Sequence, residues 1–539
     1  MTVRTRWACL RDSRSSEGGY VAVMTAMLLI VLMGLAAFAV DVGHWYLVGQ
    51  QEQRAADAAA MAGVTYLPSA SASAFSTAQN FSKINGFQNG VSSTTVIPAL
   101  DISATRLRVT VNQTVTNFFG SLMGVPTTTI SRTAVADYAG PVPMGSPCNE
   151  FGDDPDVSGH ESTNCNGTGA FWGNVGSPQA VKSYGDAYQN EMATNTDFDP
   201  NGYFYSVTVR QPMANLTIEA FDPALINVGD YCGAPTKPDP GNLIQAKTLA
   251  PAKTVVSDPS TRYAEGATNY CTGDIRYGGT GEVATQFTVR SPGLKPWDPL
   301  SFPAIGGTCT QTFAGYNGDL KVALDKTTPA YGNRPDVAAN FRQWKTLCTI
   351  PNAVAGTYMV QVKTNAVGND LGSGHNRFSL RAYGGSSAEN DAISVAGYYK
   401  MGMYGNTPNG TSRFYLARVP SSAKGQLFNV RLWDIGDGAV NGSTVTVLPP
   451  NETGGTFSGC TGAGVQNGAL SSCQISVNSN YNGQWQTISV PIPSTYTCND
   501  GSSIGCWVRL EFFYGSGSTP NDTTSWTASI EGDPVRLVE

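Results

Sequence analysis

The hydrophobic pattern divides the chain into stretches with three different periods. From Tyr20 to Val40 (YVAVMTAMLLIVLMGLAAFAV) no residue is charged. At 1.5 Å per residue this run spans about 30 Å, the thickness of a bilayer's hydrocarbon core, and predicts a transmembrane helix. The next stretch, DVGHWYLVGQQEQRAADAAAMAG, is rich in helix formers, so the helix is expected to continue beyond the membrane until Pro68 ends it. Ala55, Ala58, Ala59 and Ala62 fall at i, i+3, i+4 and i+7. They form one small-residue face that lets another helix approach closely. Trp45 and Tyr46 sit just past the apolar run, where aromatic belts lie. The period then becomes two. DISATRLRVTVNQTV alternates as a strand, NFFGSLMGV suits a short helix, and TTTISRTAVADYA alternates again.

Beyond residue 140 the pattern is one of short strands. A Gly/Asn/Asp-rich stretch predicts loops, and from Tyr203 alternating runs recur between Gly, Pro and Asn: YFYSVTVRQP, NLTIEAFDPA, ATQFTVRSP, GTYMVQVKTN and NRFSLRAYG. A second set begins near Ala392, with SRFYLARVP, QLFNVRLWDIG, STVTVLPP, WQTISVPIP and CWVRLEFFYG among its members. The expected fold class is therefore mainly β. A transmembrane helix extends into a stalk, a small α+β segment follows, and then come two antiparallel sandwich-like domains with disulfides, the second of jelly-roll type. The expected boundaries are a tail at 1–19, the membrane helix at 20–40, the stalk at 41–67, the small segment at 68–140, a loop-rich linker at 141–200, and sandwiches at 201–390 and 391–539.

Charge adds orientation. Arg4, Arg6, Arg11 and Arg14 precede the apolar run, and Arg54 is the only basic residue after it before Lys83. The positive-inside rule then puts the N-terminus in the cytoplasm and the remainder outside, as a single-pass protein of the cell membrane. A cleaved signal peptide is the alternative, because Ala37-Phe38-Ala39 is an A-x-A-like site. The run exceeds the usual apolar core of about 7–15 residues, which favours retention. Only 14% of residues are charged, against roughly 25% in an average soluble protein, and 60 Gly and 31 Pro supply turns. The net charge is -7 with no basic stripe, so nucleic acid is not an expected partner.

One combination is more specific than hydrophobicity requires: Gly18-Gly19, V-A-V-M, the apolar run, A-V-D-V-G at Ala39 to Gly43, an aromatic pair, and Q-R-A-A-D-A-A-A-M-A at Gln53 to Ala62. It resembles the N-terminal segment of TadG-like pilus-assembly proteins of the tight-adherence (Flp pilus) systems. The resemblance implies a membrane-anchored component of pilus assembly whose partners, other assembly membrane proteins or pilins, are met through the N-terminal helix. Pilin-type relatives are cut after a Gly and carry Glu at the fifth mature position, whereas the fifth residue after Gly19 is Met24. Some TadG-like proteins carry a metal site of the form D-x-S-x-S. The nearest string, Asp101-Ile-Ser103-Ala-Thr105, runs straight into a strand, and no metal is expected there.

Of 11 Cys, Cys9 precedes the membrane run and is expected as a free thiol. The other ten, Cys148, Cys165, Cys232, Cys271, Cys309, Cys348, Cys460, Cys473, Cys498 and Cys506, read as a disulfide framework in an exported segment. They fall into neighbouring couples, which suggests 148–165, 232–271, 309–348, 460–473 and 498–506, although sequence alone does not determine connectivity. Zinc has no C-x-x-C pair and no nearby His to use.

Catalytic chemistry has little to draw on. The three His, His44, His160 and His375, are far apart in sequence, and no G-x-S-x-G elbow occurs. No enzyme activity and no organic cofactor are expected. Calcium is the one ion that the pattern suggests. Asp154, Asp156 and Ser158 followed by Gly159 match the start of a calcium loop, but Cys165 stands where a bidentate Glu belongs. Asp434 and Asp437, after Trp433, are a second carboxylate pair, at a strand end. Three function classes remain: a pilus-assembly component, a cell-surface adhesive or glycan-binding protein on the same anchor, and an anchored extracellular hydrolase.

Overall fold

The computed structural model describes residues 17–67, 71–101, 106–138, 142–152, 160, 162–163, 171–225, 274–278, 281–293, 298–316, 335–340, 343–368, 370–405, 411–518, 522–531 and 535–538. These form two compact units, one of residues 1–64, 72–137 and 535–539, the other of residues 65–71 and 138–534. The chain is mainly β, its strands pair antiparallel, and its long helix is N-terminal.

Helix α1 (Glu17–Val64) runs without interruption for 48 residues. Its apolar part is long enough to cross a membrane, and side chains such as Leu28, Ile30 and Leu35 are mostly exposed there. The character of the helix changes at Asp41. From that residue on, Asp41, Val48, Glu52, Ala55, Ala56, Ala59, Ala60 and Val64 are buried, a stripe at the three-to-four-residue spacing of one helix face. The stretch expected as a stalk packs within its own unit. Its cover is an antiparallel sheet of β1 (Thr94–Leu100), β2 (Arg106–Thr116) and β3 (Thr127–Tyr138), with α2 (Ser71–Ile84) alongside. Leu107, Val109 and Val111 alternate inward along β2 and are fully buried. Burying each contributes roughly 1.5–3 kcal/mol. Small helix residues make this close packing possible. A Cβ at Gly63 would lie 2.5 Å from Leu107 Cδ2 and 2.6 Å from the Ala74 carbonyl oxygen.

The sheet has a fourth strand that sequence patterning does not predict. The C-terminal Val535–Leu537 lies next to β3, and the Val538 N–H donates to the Val135 carbonyl at 2.8 Å. The chain thus leaves this unit after Asp137 and rejoins it at Val535. The large β unit is an insertion between two neighbouring strands of a small sheet.

In the large unit, the two strand sets expected as separate sandwiches share one hydrogen-bonded network. Strand Tyr203–Val209 pairs with Gly356–Lys363 on one side and with Ile393–Tyr398 on the other, with Val207 opposite both Tyr358 and Val395. Strand pairing therefore links residues on both sides of position 390. One core runs through both sets, including Phe151, Tyr205, Phe378, Phe414 and Trp526. The stretch expected as a loop-rich linker supplies strands too. Phe171–Gly176 is buried throughout and pairs with both Ser373–Tyr383 and Lys400–Gly405. Its Gly and Asn residues conceal it, because FWGNVG does not alternate.

The disulfides Cys309–Cys348, Cys460–Cys473 and Cys498–Cys506 form as neighbouring couples. Cys148 is also disulfide-bonded, and Cys165, Cys232 and Cys271 lie outside the described residues, as does Cys9. Loops of these lengths each stabilise by roughly 2–4 kcal/mol in the chain-entropy model.

Removing residues 535–539 should uncover the outer edge of β3 and weaken the small unit by roughly 1–3 kcal/mol, the loss of a few ladder bonds. Hydrogen exchange of the β3 amides should quicken while the thermal midpoint of the large unit stays unchanged. Unchanged β3 protection would show that the C-terminal strand does not support this sheet.

Candidate functional site

The most highly organised polar site of the small unit lies at the end of the apolar run, where α1 meets the loop between β2 and β3. Asp41 is the first charged residue after Val40, yet it is almost fully buried. Its Oδ1 accepts the Phe118 N–H at 2.7 Å and the Phe119 N–H at 3.3 Å, and its Oδ2 accepts the Phe119 N–H at 3.1 Å and the Gly120 N–H at 2.7 Å. One carboxylate thus satisfies three consecutive backbone donors, with charge-assisted bonds of about 1.5–3 kcal/mol each. One turn further along α1, Trp45 Nε1 donates to Asn117 Oδ1 at 2.8 Å, and the His44 ring lies 5.0 Å from that of Phe118.

The loop is itself closely built. The Asn117 side chain donates to the Val125 carbonyl at 2.9 Å, and the Val125 N–H donates to the Gly120 carbonyl at 2.9 Å. A single 3-10 turn, Gly120–Met123, ends at Gly124 with φ 84, a left-handed value that glycine adopts without steric cost. The expected short helix in NFFGSLMGV is this turn.

Three turns beyond Asp41 the same helix face buries Glu52. Burial pushes its carboxyl up to about 7, against the opposing pull of the Arg132 guanidinium and a backbone donor at Gln113. The small-residue face predicted from sequence lies here. Ala55 and Ala59 are fully buried within the unit, whereas Ala58 and Ala62 are half-buried.

The remaining sequence candidates are dispersed. Asp154, Asp156 and Ser158 lie outside the described residues. Asp101 binds Arg108 at 2.9 Å. His160 stacks on Tyr383 at 3.8 Å. His375 is buried between Asn174 and Asn190, and desolvation holds its pKa well below the ordinary value. Asp434 and Asp437 are joined by Asp522, a residue 85 positions downstream of Asp437 that no sequence motif singles out. Asp434 accepts the Gly483 N–H, and Asp522 accepts those of Gly436 and Asp437 and the Tyr514 hydroxyl. Burial raises all three pKa values, and repulsion from Asp437 adds to the rise at Asp434 and Asp522. Among the described residues one group of three potential metal ligands converges, Cys498, Asp500 and Cys506, but its two sulfurs are joined in a disulfide. A cavity of about 370 Å³ beside that disulfide is lined by Tyr415, Trp507, Asn451, Glu452, Asn499 and Ser502.

The geometry defines a membrane-anchored protein in which one helix, long and apolar enough to cross a membrane, also supports a small α+β unit. Residues 19–72 match the Tad family, described as Flp pilus-assembly TadE/G-like, over about a tenth of the chain. The matched segment runs from the start of the apolar run, through Asp41 and the buried alanines, to the beginning of α2. No curated protein and no solved structure matches the chain.

Replacing Asp41 with Ala should strand three loop donors and cost about 2–4 kcal/mol, with Asn retaining part of the effect. Limited proteolysis should then cut between Phe118 and Val125 in the variant and not in the parent. Equal resistance would show that Asp41 does not hold the loop. For Glu52 the sign follows from the raised pKa. The proton is held more tightly in the folded unit, so the stability linked to this group is full below about pH 4.5 and is lost as pH rises to about 7. Glu52→Gln should abolish that dependence and stabilise the unit near neutral pH by about 1–3 kcal/mol. Hydrogen-exchange protection of α1 between residues 52 and 60, followed against pH, is the measurement. A wild-type profile that is flat from pH 4.5 to 7 would contradict it.

Proposed function

We infer that this protein is a membrane-anchored component of a bacterial Tad/Flp-type pilus assembly system, with its N-terminus in the cytoplasm and its large β unit outside the cell. The observation that carries this reading is the coincidence of the Tad match with the structural join. The residues that the family match covers are those that cross the apolar layer, present Asp41 and pack against the sheet. The arginines before Tyr20 support the orientation. Disulfides suit an oxidising exterior.

The partners on this reading are other assembly membrane proteins or pilins, met through the N-terminal helix. Burial narrows where that contact can be made. Ala55 and Ala59 are occupied by the protein's own unit, so the helix surface open to a partner is the exposed run before Asp41 together with the outer face that carries Ala58 and Ala62. A surface-binding protein is the second reading. The cavity beside Cys498–Cys506, with two aromatic rings, two amides and one carboxylate, has the composition of a small polar-ligand site.

The test is to exchange residues 20–40 for an unrelated transmembrane sequence of equal length, leaving Asp41 onward intact. Surface piliation should be lost while the large unit remains exported and protease-resistant. Normal piliation would reduce the helix to a tether and transfer the function to the surface-binding reading.

A further inference from the structure

The loop held by Asp41 is unusual for a water-facing hairpin connection. From Asn117 through Thr129 it carries no charged residue. Its large apolar side chains point into open space: Phe118 is 60% exposed, Leu122 85%, Met123 71% and Val125 52%. Flexibility does not account for this, because the loop is closed by the Asn117 and Gly120 hydrogen bonds and fastened to α1 by Asp41 and Trp45. Its place along the helix decides what covers it. Asp41 follows the last residue of the membrane run by one position, about 1.5 Å along the axis. The loop backbone bonded to Asp41 is therefore at the level where α1 leaves the hydrocarbon.

We propose that the Phe118–Val125 loop is a second membrane contact, resting in the interfacial layer of the leaflet from which α1 emerges, with Phe118, Leu122 and Met123 inserted among the lipids. The occupant is the bilayer itself, because the loop is bonded to Asp41, the residue next to the exposed apolar run that is long enough to span it. The contact fixes the small unit by two points, a spanning helix and an immersed loop. Asp41 carries the loop at the correct depth and removes three backbone donors that would otherwise be desolvated without partners. Trp45, bonded to the same loop, sits at the height where aromatic rings favour the interface.

This rests on membrane anchoring by residues 20–40, and the test separates the two. In full-length protein with Cys9→Ser and its disulfides kept oxidised, single cysteines replace Ile30, Leu122, Met123 or exposed Ser131, and each is labelled with an environment-sensitive fluorophore. The proteins are reconstituted alone into phosphatidylcholine–phosphatidylglycerol vesicles containing doxyl-labelled lipids. Label at Ile30 should be quenched most strongly by deep doxyl groups. Label at Leu122 and Met123 should be blue-shifted and quenched most strongly by doxyl groups near the headgroup. Label at Ser131, on the sheet away from Asp41, should be unquenched. Quenching at Ile30 with water-like emission at Leu122 and Met123 would overturn the loop contact and leave anchoring intact. A blue shift at the loop without lipid quenching would mean that a second copy of the chain covers it, which also overturns the proposal. No quenching at Ile30 would defeat the anchoring on which the proposal stands.

Discussion

The carboxylate of Asp41 is where two solvents meet on one helix. Before it, α1 needs only apolar side chains, because lipid makes no other demand and the helix satisfies its own backbone. After it, the same helix serves as the cover of a β-sheet and must be narrow on one face. A rigid 48-residue rod can meet both requirements only if the sheet is held at a definite height along it. The three N–H groups of Phe118, Phe119 and Gly120 on Asp41 set that height. Leu107 then falls against Gly63, and β2 packs along the helix. A charged group suits this position. A buried carboxylate that accepts several backbone donors is stabilised where an unpaired one would be costly.

Connectivity gives this small unit a second role. The sheet that covers α1 is interrupted between β3 and the C-terminal strand, and the large β unit occupies the interruption. Residues 138–534 are therefore joined at both ends to neighbouring strands of this sheet. The family match covers residues 19–72 and so falls mostly within the small unit.

Local features were legible in the sequence and long-range ones were not. The uncharged run, the continuing helix, the alternation of β2 and the tight turn after Asn117 all depend on residues within a few positions of one another. The couples 309–348, 460–473 and 498–506 were legible because each closes a short loop. The small-residue face at Ala55 and Ala59 was visible, but its occupant was not, since nothing in helical periodicity distinguishes a partner helix from a sheet of the same chain. Asp41 belongs to the A-V-D-V-G string that carries the resemblance, yet its partners lie 77 to 79 residues away. The strand Val535–Leu537 is too short to show a period, and Phe171–Gly176 carries Gly and Asn in a fully buried position. The pairing that links the two strand sets was hidden for a related reason: strand composition marks where strands are, and pairing between Val207 and Val395 leaves no local trace.

If Asp41 locks the sheet to the helix at the membrane exit, the amides that it accepts must be protected from solvent. Amide hydrogen exchange of Phe118, Phe119 and Gly120, measured in bilayer-embedded full-length protein, tests this most directly. Slow exchange is predicted at all three positions, comparable to the β2 amides, with rapid exchange in Asp41→Ala. Exchange at the rate of an open loop in the parent protein would contradict the lock.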